Sequence, residues 1–179
     1  MLAVRPRRAL RDGLEAVVAA VALTFVVRMF LVEPFVVNGV SMQNTLQNQE
    51  RVVVEKLSPR VLPLHYGQII VFHPPIAGAG DYIKRVIALG GQTVSMSEGK
   101  VYVDGRQMPQ PFLIHGGVST ADHYTMPARK VPLSDVFVLG DHRDVSDDSR
   151  YFGPVRLSSV QGVAFWVIWP LQDFGPIRQ

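Results

Sequence analysis

The sequence predicts a mainly β protein, with a single N-terminal transmembrane helix followed by a β-rich domain that carries a loop-rich insert. Three observations lead there. One long apolar stretch lies near the N-terminus, short β-branched and aromatic runs follow it, and no long helical period occurs after residue 35. Charged residues make up 18% of the 179 residues and hydrophobic ones 47%, a low charge content for a wholly soluble surface. The net charge of +3 is local. Arg5, Arg7, Arg8, Arg11 and Arg28 face only Asp12 and Glu15 within residues 1–32, whereas residues 33–179 hold 13 basic and 13 acidic side chains. A nucleic-acid surface therefore loses its support.

The anchor is "LEAVVAAVALTFVVRMFLV", residues 14–32. As a helix it would extend about 28 Å, close to the thickness of a bilayer core. Glu15 and Arg28 belong near the two interfaces, and Pro34 disfavours helix at Glu33. A cleaved signal peptide needs a small-x-small site that "RMFLVEPFVV" lacks, and a twin-arginine signal would rest on Arg7 and Arg8 alone. An uncleaved anchor fits best. The preceding arginines put residues 1–13 in the cytoplasm and residues 33–179 on the extracytoplasmic face.

Beyond the anchor, strands are expected at 51–57, 68–73, 82–89, 92–96, 100–105, 136–140 and 163–169, with "SEGK" and "DGR" as hairpin turns. Residues 106–133 hold four prolines and little periodicity, and read as an irregular insert. There is no cysteine, hence no disulfide, thiol nucleophile or thiolate-bound zinc. The five histidines show no ligand spacing, so neither a metal nor another cofactor is expected.

Three stretches carry candidate chemistry. "NGVSMQNTL", residues 38–46, places Ser41 just past the anchor, and a serine nucleophile needs a base. Lys84 lies inside the apolar strand "YIKRVIAL". Strict alternation puts Tyr82, Lys84, Val86 and Ala88 on one face and Ile83, Arg85, Ile87 and Leu89 on the other. Burial there would lower the lysine pKa and free a neutral amine; a lysine snorkelling from an edge strand is the bland alternative. His142, beside two aspartates, is a rival base, although the chain has no G-x-S-x-G elbow. The third stretch, "GDHRDVSDDSRYFGP" at 140–154, packs six charged residues and two serines after an apolar strand. Such a run is usually a solvated loop, yet Ser146 has the hydroxyl to orient a lysine, and Asp148 with Arg150 the charges to hold a loop.

Taken together, these stretches resemble the bacterial type I signal peptidases (peptidase family S26), membrane-bound serine endopeptidases that remove signal peptides. The family pattern of anchor, Ser-Met-x-Pro-Thr-Leu, Lys-Arg-Val and Gly-Asp-Asn-Arg-Asp-Asn-Ser-x-Asp-Ser-Arg is matched in order by Ser41 to Leu46, Lys84 to Val86 and Gly140 to Arg150. The resemblance implies a catalytic domain over 33–179, with Ser41 as nucleophile and Lys84 as general base of a Ser-Lys dyad. It further implies Ser146 orienting the lysine, Asp148 and Arg150 as a structural pair, and the Ser41 N–H in the oxyanion hole. Gly39 falls where some members add a serine hydroxyl to that hole, so that side-chain donor is absent. The implied partners are exported preproteins with Ala-x-Ala type cleavage sites and the lipid bilayer.

The chain departs from the pattern at Asn44 (for proline), Gln68 (for aspartate), and His142 and Val145 (for asparagines). None removes a dyad residue. Two other readings stay open: a catalytically idle membrane-tethered peptide-binding module, and a LexA-like autoprotease, which this chain resembles less because it has an anchor in place of a DNA-binding domain.

Overall fold

A computed structural model describes residues 6–57, 62–113 and 124–178. The apolar N-terminal stretch forms helix α1, Pro6–Phe30. It begins eight residues before the expected anchor and ends two residues short of it, because Val32–Val36 is already a strand, β1. Pro34 is tolerated inside β1 because this strand lies at a sheet edge, paired only with β2, Arg51–Glu55. Of the span expected over 14–32, the side chains of 25–30 lie outside those described, and among the described residues no helix is long and apolar enough to cross a membrane. Arg11, Asp12 and Glu15 occupy the first half of α1, alongside the apolar side chains of Leu14, Val17, Val18, Val21 and Leu23. Those from Leu14 to Leu23 are nonetheless exposed.

The mainly β expectation holds. The strands are β3 (Ile69–Phe72), β4 (Tyr82–Ala88), β5 (Thr93–Ser97), β6 (Lys100–Val103), β7 (Arg106–Gln107), β8 (Met126–Lys130), β9 (Asp135–Leu139), β10 (Val155–Arg156), β11 (Val160–Trp169) and β12 (Gly175–Pro176). They form an eight-stranded sheet ordered β1-β2-β11-β3-β4-β9-β10, with β12 on β11, and a four-stranded sheet ordered β7-β6-β5-β8. Beyond α1, the described residues contain one further α-helix, α2, Ser149–Phe152, and short 3-10 turns. Both expected hairpins form: Ser97 pairs with Lys100 and Val103 with Arg106. Their two-residue loops, Glu98–Gly99 and Asp104–Gly105, all have positive φ, which suits the twist of the flanking strands. The segment 106–133 carries β7 and β8 near its ends, and residues 114–123 lie outside the described residues.

The large sheet is covered on both faces. Ile69 and Val71 of β3 pack with Val37, Met42, Leu46 and Val52, while Ile70 and Phe72 point the other way, against Val86, Val136 and Val138. A third cluster joins Ile87, Phe137 and Leu139 to the small sheet through Val94, Met96 and Val101. Strict alternation along β4 fails after Val86. The register against β9 skips Ile87, a bulge that moves Ala88 into the cluster of Ile87 and leaves Leu89 with Tyr82 and Val86.

Candidate active site

Ser41 sits on a tight loop that the core holds from both sides. Met42 and Leu46, four residues apart, are fully buried, and Leu46 N–H donates to Met42 O at 2.8 Å. One turn of helix-like backbone thus pins the loop and leaves Ser41 half-exposed at its start. Lys84 comes from β4, a central strand with both faces covered, and is 4% exposed. Its Nζ donates to Ser41 Oγ at 2.7 Å and to Ile83 O at 3.1 Å. Burial lowers its pKa from 10.5 to about 8, against the opposing pull of the Asp148, Asp147 and Asp141 carboxylates. The snorkelling alternative is therefore corrected: this lysine is in the interior, beside the serine hydroxyl.

The two residues open into a groove of about 710 Å³ between Phe35–Ser41 on one side and Gly80–Lys84 on the other, with Val145 and Asp147 at its rim. β9 pairs β4 only from Arg85 onward, so the β9-facing edge of Tyr82–Lys84 has no strand partner among the described residues. An extended peptide fits such an edge. The N–H of Ser41 makes no hydrogen bond among the described residues, whereas Gly39 N–H is given to Asn48 Oδ1 at 2.8 Å. Of the two expected oxyanion-hole positions, only Ser41 thus keeps a backbone donor. Among the described residues no group of three or more His, Cys, Asp or Glu is placed to hold a metal.

The signal peptidase family, peptidase S26, matches residues 10–169. The chain belongs to that family. A probable signal peptidase I-1 of Synechocystis sp. is 35% identical over 96% of this chain and 89% of its own length. The signal peptidase I of Leptolyngbya laminosa is 32% identical over 94% and 84%, and the signal peptidase IB of Staphylococcus aureus 30% over 94% of each. Membership of this peptidase family makes the chain a hydrolase of peptide bonds.

Within this signal peptidase family chain, the loop 140–150 packs behind Ser41 and Lys84. Asp148 and Arg150 form a buried two-point pair, with Arg150 Nε to Asp148 Oδ1 at 2.9 Å and Nη2 to Oδ2 at 3.1 Å. Asp148 also caps α2 and accepts from Gly140 N–H at 3.0 Å, while Arg150 Nη2 donates to Arg143 O at 2.5 Å. Asp148 and Arg150, expected as a structural pair, are thus in direct contact. Ser146 is buried too, but its Oγ has no hydrogen-bond partner among the described residues and makes no bond to Lys84. His142 makes no ring hydrogen bond to Ser41 among the described residues: its backbone N–H donates to Ser41 O at 3.0 Å, and its buried Nδ1 has no hydrogen-bond partner among them.

Sequence reasoning missed Arg85, Asp141 and Thr45. Arg85 is wholly buried and grips Asp141 through Nε (2.9 Å) and Nη2 (2.7 Å), with Gly67 O at 2.6 Å from Nη1. Thr45 Oγ1 donates to Asp141 Oδ2 at 2.6 Å and accepts from Arg85 Nη2 at 3.1 Å. The residue beside the lysine is thereby tied to both the serine loop and the loop at 140–150. The one sequence signal was a second charge in an apolar strand, which alternation alone assigned merely to the opposite face.

Proposed function

We propose that this chain is a type I signal peptidase, removing N-terminal signal peptides from exported preproteins after small residues of Ala-x-Ala type. The observation that carries the reading is the 2.7 Å hydrogen bond between Ser41 Oγ and a buried Lys84 whose pKa is lowered to about 8. In its neutral form Lys84 takes the Ser41 proton, and Oγ attacks the scissile carbonyl carbon. The oxyanion forms beside the Ser41 N–H. Lys84 then passes its proton to the leaving amine, and the acyl ester on Ser41 remains. A water molecule, deprotonated by the same amine, hydrolyses the ester and restores the hydroxyl.

Helix α1 supports attachment to a bilayer. Leu14, Val17, Val18, Val21 and Leu23 are each at least 60% exposed, more apolar surface than a helix in water leaves bare. With its arginines on the cytoplasmic side, α1 would anchor the catalytic domain as a single-pass protein on the extracytoplasmic surface, where cleavage sites emerge. The test is cleavage of an Ala-x-Ala peptide by detergent-purified protein from pH 6 to 10, with Ser41→Ala and Lys84→Ala alongside. Turnover that needs both residues is expected; retained turnover in Lys84→Ala would sink the dyad, and peptide binding without cleavage by folded wild type would sink the peptidase.

A further inference from the structure

Three carboxylates face Lys84, and two of them already hold an arginine. Asp148 is paired with Arg150 and Asp141 with Arg85, each through two points and each buried. The third, Asp147, forms no ion pair among the described residues. It stands exposed at the rim of the groove, where its Oδ2 accepts from Tyr82 Oη at 3.3 Å. Lys84 Nζ lies 4.9 Å from the centre of the same tyrosine ring. Tyr82 therefore touches both the amine and the carboxylate.

Elsewhere around Lys84, charge is absent or held. β3 sets the uncharged Ile70 opposite it, and residues 35–46 carry no charged side chain. Asp81, just before β4, accepts from Gln161 Nε2 at 2.6 Å and lies 3.4 Å from His73 Nδ1. His142, Arg143 and Asp144 complete the titratable and charged groups of the loop 140–150, and Arg143 Nε turns to Gly140 O at 3.0 Å. Asp148 exerts the largest of the three pulls on the lysine and Asp147 the next. Asp148, however, is fixed to an arginine whose positive charge opposes it, whereas Asp147 has no such cation.

We propose that Asp147 is a positioning residue for the base, stabilising the Lys84 ammonium that exists between deprotonation of Ser41 and protonation of the leaving amine. The inference rests on the signal peptidase reading above. The proton moves from Ser41 Oγ to Lys84 Nζ and on to the leaving nitrogen. Asp147 takes no proton and supplies only a fixed negative charge. A peptide in the groove displaces water beside both groups, so their attraction is stronger in the complex than in the free enzyme. The effect depends on pH in a defined sense. Where the resting amine is neutral, Asp147 favours only the transition state. At lower pH the resting lysine already carries the proton, so Asp147 favours both states and its contribution nearly cancels.

The experiment measures kcat/KM for one Ala-x-Ala peptide from pH 6 to 10, with detergent-purified wild type, Asp147→Asn, Asp147→Glu and Tyr82→Phe, and Ser41→Ala as blank. Asp147→Asn is expected to be about fivefold slower on the high-pH plateau and within about twofold of wild type at pH 6, its midpoint lower by about half a unit. Asp147→Glu keeps the charge and should restore the midpoint. Burial, and then Asp147, push the Tyr82 phenol above its ordinary value, so the hydroxyl donates across this range. Tyr82→Phe, which releases the carboxylate and keeps the ring, should move the midpoint the same way by less, and should add no shift to Asp147→Asn. An equal loss at every pH with an unmoved midpoint would make Asp147 merely structural and overturn the proposal, as would a profile identical to wild type. In both cases cleavage by wild type, absent in Ser41→Ala, preserves the peptidase. Failure of wild type to cleave overturns both.

Discussion

The carbonyl oxygen of Ser41 lies 2.5 Å from the point where a side chain on Gly140 would begin, and Ser146 Oγ lies closer still. The Ser41 loop and the loop at 140–150 are thus in backbone contact, fastened by the hydrogen bond from His142 N–H to Ser41 O. Glycine is required here by space, because a Ser41 carbonyl cannot swing away as a long side chain can.

Gly140→Ala should therefore push Ser41 off its alignment with Lys84. A displacement near 1 Å costs on the order of 100-fold in rate, and overpacking costs about 1–3 kcal/mol of stability. Single-turnover cleavage and thermal melting of the variant would read both. A rate within a few-fold of wild type would show that the two loops are not so coupled.

Lys84 sets a pH dependence in both activity and stability. On the proposed mechanism the neutral amine is the base, so kcat/KM should rise through about pH 8 and then level. For stability, the folded-state pKa lies below the unfolded one. Below about pH 8 both states hold the proton, and the native state bears the full cost of the buried ammonium. Between about 8 and 10.5 the unfolded chain binds a proton that the native state has released, so this contribution to stability rises with pH across that window. The gap corresponds to about 3 kcal/mol. Lys84→Met should abolish cleavage, raise the melting temperature at pH 7 and remove the rise above pH 8; denaturant unfolding at several pH values would check this.

The residues of the Ser41–Lys84 hydrogen bond were legible in the sequence because a lysine inside "YIKRVIAL" and a serine before a buried Met42 and Leu46 are local signals. All seven expected strands formed for the same reason, their β-branched runs needing only a partner. β1 was not legible, since Pro34 reads as a helix stop and only pairing with β2 makes it a strand. β8, "MPARK", has one buried residue and no apolar alternation, and is held by β5. The Arg85–Asp141–Thr45 link joins positions 96 residues apart, which no periodicity encodes. Asn44, where the family pattern has proline, has φ +114°, a value proline cannot adopt, and its Nδ2 lies 3.4 Å from Asp141 O.

Asp141→Ala would leave Arg85, wholly buried, with no counterion among its remaining partners. Breaking a buried pair from one side costs about 3–5 kcal/mol, and urea unfolding should show a loss of that order. The double variant Arg85→Met with Asp141→Leu should recover much of it, since no charge is then stranded. Equal instability in the single and double variants would place the cost in lost shape instead.

Ser146 separates an orienting role from a structural one. Its hydroxyl is buried without a hydrogen-bond partner among the described residues, so Ser146→Ala should leave stability unchanged or higher by about 1 kcal/mol. The backbone around it stays anchored, because Arg150 holds both Arg143 O and Ser146 O, the latter at 3.4 Å. If the hydroxyl turns to the Lys84 amine during turnover, the variant loses one of the contacts that aim the base. In that case kcat should fall by about tenfold, the scale of one hydrogen bond to a charged group, with KM little changed. A thermal melt and a full Michaelis–Menten curve on one preparation decide the matter. Lower kcat at undiminished stability supports orientation of the lysine, and an unchanged kcat removes Ser146 from the mechanism.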